Sequence, residues 1–149
     1  MILQKDFMNK DMMNEMKLKV EDTVVVNVVD NDLMIVSFLE SIYGDDENTA
    51  QAQAGVDKCF STIEDNHLES PVNVIVDLRP MGNKSHISPD SREIYINFVA
   101  DPRIARVAVL GSSDAQTSIA NFILSFDSRL KDKLAWFSEE TEAKYWLSK

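Results

Sequence analysis

Arg79, Ser88, Gly111, Ser112 and Ser113 are the residues of this chain whose types and positions could act together chemically. A guanidinium offers a planar fork of donors that fits a phosphate or a carboxylate. Serines at helix starts stand beside backbone N–H groups that have no partner inside the helix. A glycine lets the backbone approach a ligand closely. Arg79 follows the apolar run VNVIVDL (72–78), Ser88 precedes Pro89, and Gly111-Ser112-Ser113 follows RVAVL (106–110). The chemistry they support is the holding of an anion or a phosphorylated side chain, with no bond made or broken. They also have a plainer use, in which Arg79 pairs with Asp77 or a nearby helix end and the serines cap their helices.

Other constellations point away from catalysis. His67 and His86 are the only histidines, and neither has a second ligand at metal-binding spacing, so no metal is expected. Ser112, His86 and Asp77 could be written as a hydrolytic triad, but the chain has no G-x-S-x-G elbow. GSSD (111–114) lacks the second glycine and the Lys-Ser/Thr pair of a phosphate loop, and it is not a dinucleotide fingerprint. Cys59 lies on an apolar helical stripe, where a buried, inert thiol is expected. The reading is therefore a protein without enzymatic activity and without a cofactor.

The elements that must position these residues repeat. VNVIVDL leads to the helical segment SPDSREIYINFV (88–99), RVAVL leads to GSSDAQTSIANFIL (111–124), and KLAWF (133–137) leads to SEETEAKYWL (138–147). Near-continuous apolar strands joined by helical crossovers pair in parallel. Ahead of them, EDTVVVNVV and DLMIVSFL flank Asp30-Asn31 with Asp32 next, which predicts an antiparallel hairpin. Between hairpin and first repeat, Ala52, Val56, Cys59, Phe60 and Ile63 make one helical stripe, with Gly55 inside it. The expected order is β-β-α-β-α-β-α-β-α, an α/β fold with a five-stranded mixed sheet. Residues 17–149 form one domain, and residues 1–16 are an extension outside it, helical or disordered. The strand C-terminal edge, where the helix starts gather, is the expected binding edge.

Composition narrows the partners. The formal net charge is −10, and residues 1–75 hold 15 acidic against 5 basic residues, while residues 76–149 hold 10 of each. All the excess acidity lies in the first half, which repels phosphate backbones and anionic membranes, so nucleic acid is not an expected partner. No apolar run reaches the roughly 20 residues of a membrane span. The N-terminal segment lacks the apolar core of a secretory signal, and one cysteine cannot form an internal disulfide; a cytoplasmic location is expected. A protein partner is expected, and the edge strand of the hairpin offers a homodimer contact across a two-fold axis.

VNVIVDLRPM, SREIYINFV, RIARVAVLGSS and the closing WFSEETEAKYWL, in this order, resemble the STAS/CRAL-TRIO-like family. Its members are small domains related to bacterial anti-sigma-factor antagonists and to lipid-carrier domains. The resemblance spans roughly residues 17–148, and its motifs are structural rather than catalytic. It implies a non-enzymatic module, and in the antagonist branch a serine after the central strand is phosphorylated to switch partner binding. Ser85, Ser88 and Ser91 are the matching positions, although the Asp-Ser-Ser-Gly type of motif is absent and Pro89 follows Ser88. Two uses are expected of such a domain. One is a regulatory or scaffolding module acting at the strand C-terminal edge. The alternative is a small carrier holding an apolar ligand between sheet and helices, against Phe98, Phe122 and Phe126.

Overall fold

The computed structural model describes residues 10–81, 86–111 and 128–149. Five strands, β1 (Val24–Asp30), β2 (Leu33–Phe38), β3 (Val72–Asp77), β4 (Ile104–Leu110) and β5 (Leu134–Phe137), form one sheet in chain order. β1 and β2 pair antiparallel, and β2 to β5 all run parallel. The α/β fold with a mixed five-stranded sheet expected from the alternation of apolar strands and capped helices is the fold observed. The described residues form four α-helices beside it: α1 (Lys10–Val20), α2 (Asp45–Asp65), α3 (Pro89–Ala100) and α4 (Glu140–Leu147).

Strand order in step with chain order has a consequence for layering. Right-handed crossovers that always advance in one direction place their helices on one face of the sheet. Val36, Val74, Val107 and Leu134 turn to that face and pack with Cys59 and Ile63 of α2 and Phe98 and Val99 of α3. Ile75, Ala108 and Leu110 turn to the other face and meet Ala143 and Leu147 of α4. The alternation along β4 follows the two-residue period of a strand buried on both sides. Trp146 joins the second cluster, and Arg106 donates to its carbonyl at 2.8 Å while its guanidinium lies 4.6 Å from the Trp146 ring centroid, fixing the end of α4.

Two termini of helices differ from the sequence expectation. Ser138 does not cap α4; Glu139 holds that position without a side-chain cap hydrogen bond, and Glu140 begins the helix. At the other end of the chain, α1 crosses the expected boundary at residue 16. Met13, Met16 and Val20 form a stripe that packs on Ala50 and Ala54 of α2, and Lys17 pairs with Asp57 at 2.8 Å. A stripe of two methionines and one valine is too short to stand out in sequence among the other methionines nearby.

Gly55 faces β1 and β2 from α2. A Cβ there would sit 3.4 Å from Val24 Cγ1 and 3.4 Å from Phe38 Cζ. That is ordinary van der Waals distance, and glycine inside a helix costs about 0.5–1 kcal/mol relative to alanine. Gly55→Ala should therefore stabilise the fold by up to about 1 kcal/mol in urea unfolding. A loss of that size would mean α2 sits closer to β1 and β2 than the geometry allows.

Candidate functional site

Arg79 lies two residues past β3, on the rim formed by the strand C-terminal ends. Its Nε donates to Asp77 Oδ1 and its Nη2 to Asp77 Oδ2, both at 2.9 Å, and its backbone N–H reaches the same carboxylate at 3.0 Å. Nη2 also lies 3.5 Å from Glu140 Oε1 at the start of α4. The bidentate hydrogen bond that the guanidinium donates to Asp77 raises its pKa above the ordinary value. The fork that would read an anion is filled by the protein's own carboxylates, which is the plainer of its two expected uses.

Ser88 is equally engaged. Its side chain accepts from the Ser91 backbone N–H at 3.0 Å, the N-cap that Ser88-Pro89 predicts for α3. Its hydroxyl also donates to Ser91 Oγ at 2.8 Å and lies 2.8 Å from Thr49 Oγ1. Both serine side chains are fully buried. Asn48 completes the cluster: its Oδ1 accepts from Ser88 N at 2.9 Å and from Ser91 Oγ at 2.6 Å. Its Nδ2 donates to the carbonyls of Ile42 at 2.8 Å and His86 at 3.0 Å. The Ser88 and Ser91 hydroxyls are thus bonded inside the protein, at the junction of α2 and α3.

The remaining expected positions divide. Gly111 is buried and donates its N–H to Phe137 O at 3.1 Å, which ties the end of β4 to β5. Ser85, Ser112, Ser113, Phe122 and Phe126 lie outside the described residues. His86 pairs with Asp45 (Nε2–Oδ1 3.2 Å) rather than with Asp77, and its ring stands 5.8 Å from that of Tyr43. Among the described residues no cluster of three or more His, Cys, Asp or Glu could hold a metal ion, and no helix is long and apolar enough to cross a membrane.

Below the rim, an apolar cavity of about 100 Å³ lies between the sheet and the α2–α3 pair. Val36, Phe38, Val76 and Val107 floor it; Gly55, Val56 and Cys59 of α2 and Tyr95, Phe98 and Val99 of α3 wall it. Leu78, Met81, His86 and Ile87 line it where the chain leaves β3 and enters α3. Phe98 is the one expected pocket residue that the described structure places here. Tyr95 stands edge-on to Phe38 at 6.1 Å. The lining is short of charge: the thiol of Cys59 is pushed up to about 12 by burial, and burial with the neighbouring Cys59 raises the Tyr95 hydroxyl too. Both groups are neutral at pH 7.

Asn48 and Thr49 were not legible as site residues, although a signal existed. The apolar stripe of α2 steps back from Ala52 by four residues to Asn48, so a polar residue there must be buried and must find partners. No family model, curated protein or solved structure matches the chain.

Three outcomes follow. Arg79→Ala should change stability by less than about 1 kcal/mol, because an exposed ion pair contributes little. Asn48→Ala should cost roughly 2–4 kcal/mol, since it strands several buried donors and acceptors; equal effects of the two changes would mean the buried cluster is not formed. For Cys59, a thiol pKa raised from 9.0 to about 12 favours the folded state below pH 9, an advantage that disappears as pH rises toward 12. Wild type should therefore lose stability relative to Cys59→Val above pH 9, and parallel pH profiles would contradict the burial of that thiol.

Proposed function

We propose that the protein is a non-catalytic binding module that takes a small, neutral, apolar ligand, about one aromatic ring in size, between the sheet and the α2–α3 pair. The observation that carries this reading is the cavity itself. Protein interiors are close-packed, and voids larger than a water molecule are few. This one is walled mainly by valine, phenylalanine, tyrosine and leucine side chains, and the polar groups lining it from the helices are the uncharged Cys59 thiol, Tyr95 phenol and Gln51 carboxamide. An apolar cavity of about 150 Å³ in another protein stays dry and holds benzene. A space of about 100 Å³ therefore suits a ring and not a long acyl chain, since drug-sized ligands occupy roughly 300–1,000 Å³.

The placement of the cavity also fits the rule that open α/β sheets bind ligands beyond the strand C-terminal ends. Leu78, Met81 and Ile87, at its opening, come from the segments joining β3 to α3. The resemblance to a family with a lipid-carrier branch supports a carrier or sensor role, restricted here by size. Anion recognition at Arg79 is less favoured, because Asp77 and Glu140 occupy the guanidinium. A regulatory or scaffolding role toward a protein partner keeps support from Tyr43, which is 56% exposed and whose ring lies beside that of His86, a residue lining the cavity. A partner's apolar side chain could enter the cavity there.

Benzene and indole titrated into the protein should raise its melting temperature in a concentration-dependent way, as any ligand of the native state must. Val76→Phe, or Val56→Phe from the helix side, should fill the space and remove that response while the fold persists. No stabilisation of the wild type by either ring compound, or an unchanged response in both filled variants, would overturn the reading.

A further inference from the structure

We propose that two copies of this chain join through β1, antiparallel, about a two-fold axis at Asn27, which makes one continuous sheet. This inference is independent of the cavity and starts from the hydrogen-bonding parity of the edge strand. Leu39 N donates to Thr23 O at 2.8 Å, and the register continues with Val25 opposite Ser37 and Asn27 opposite Ile35. In an antiparallel ladder alternate residues direct both N–H and C=O to the partner strand. Thr23, Val25 and Asn27 therefore face β2, and Val24, Val26 and Val28 face outward. The Lys58 ammonium confirms the direction, since it donates to Val24 O at 2.7 Å and also to Glu21 O.

Lys58 closes one end of that edge. A bulge between Val28 and Asp30 closes the other, because the extra residue there breaks the ladder. Among the described residues, what remains open is the pair Val26 and Val28, centred on Asn27. Outward N–H and C=O groups in that alternation are a template for another strand. A two-fold axis at Asn27 sets Val26 opposite the partner's Val28, and each such pair exchanges both N–H···O bonds.

A second copy is the occupant that the sequence fits. VVVNVVD reads nearly the same in both directions from Asn27, so reversal sets valine against valine and asparagine against asparagine. Val25, 37% exposed, then faces the partner's Val29, and its own Val29, 45% exposed, faces the partner's Val25. Asp30 falls opposite the partner's Val24 and so meets no acid within the strand. Centring on Val25 would need the Val24 carbonyl that Lys58 holds, and centring on Val29 would place the bulge in the ladder. The contact is made of backbone hydrogen bonds and valines between chains of net charge −10, so salt should strengthen it by screening their repulsion.

Sedimentation equilibrium on the purified chain tests this. The wild type should show a monomer–dimer equilibrium that shifts toward dimer between about 50 and about 500 mM salt. Asn27→Cys should give a disulfide-linked dimer under mild oxidation, because facing residues without mutual hydrogen bonds have Cα atoms about 4.5 Å apart. Val28→Pro removes an outward N–H and leaves the bonds to β2 in place, so it should weaken the dimer about tenfold or more, with an unchanged melting curve at concentrations low enough that both proteins are monomeric. Should that variant fail to fold, Val25→Lys with Val29→Lys, both at exposed positions, should dissociate the dimer and Val25→Glu with Val29→Lys should restore it. A wild type that stays monomeric at high concentration, gains mass only with added peptide, or forms a dimer that ignores these changes would overturn the proposal.

Discussion

The carboxamide of Asn48 is the constraint on which the rim depends. Its oxygen accepts from the backbone of Ser88 and the hydroxyl of Ser91, and its nitrogen donates to Ile42 and His86. One buried side chain thus joins the loop after β2, the first turn of α2, the entry to α3 and the first turn of α3. Four hydrogen bonds with complementary polarity use the full capacity of an amide; an apolar residue offers neither sign, and a hydroxyl has only one proton to donate. The two helix N-termini are held at a fixed distance from each other, and the upper edge of the cavity is set by that distance. Because the polar atoms of the cluster are satisfied among themselves, the cavity below can be apolar without stranding a donor.

The second determinant is topological. Parallel strands taken in chain order send α2 and α3 to one face, where they cover β2, β3 and β4 together. Two helices side by side on a twisted sheet leave a seam, and its filling depends on the residues that point into it. Gly55 of α2 lies over Val24 and Phe38 near β1, while Val56, Cys59 and Val99 are too short to close the space above Val76. On the other face, among the described residues, α4 packs through Ala143 and Leu147 on Ile75, Ala108 and Leu110.

How much of this could be read from residues alone follows from the range of each interaction. VNVIVDL and RVAVL are continuous apolar runs, and their burial on both faces is written in composition. Ser88-Pro89 is a local helix start, and the capping bond it predicts is present. The partner of Arg79 is two residues away, so Asp77 was already one of its two expected fates. The Asn48 cluster joins residues about 40 positions apart, from Thr49 to Ser88, and no local pattern specifies which buried hydroxyl meets which amide. The cavity is harder still, because it is the absence of a few methyl groups where three elements meet. The free edge of β1 depends on pairing parity and on Lys58, which lies 34 residues further along the chain.

The proposed binding function depends most on the seam between the sheet and the α2–α3 pair being open to an apolar guest. Methyl-resolved NMR of the protein titrated with benzene addresses it residue by residue. Chemical-shift changes confined to Val36, Val56, Val76, Ile87 and Val99, with Ile75, Ala108 and Leu147 on the opposite face unmoved, are the predicted result. Shifts centred on the opposite-face methyls, or none at saturating benzene, would contradict it.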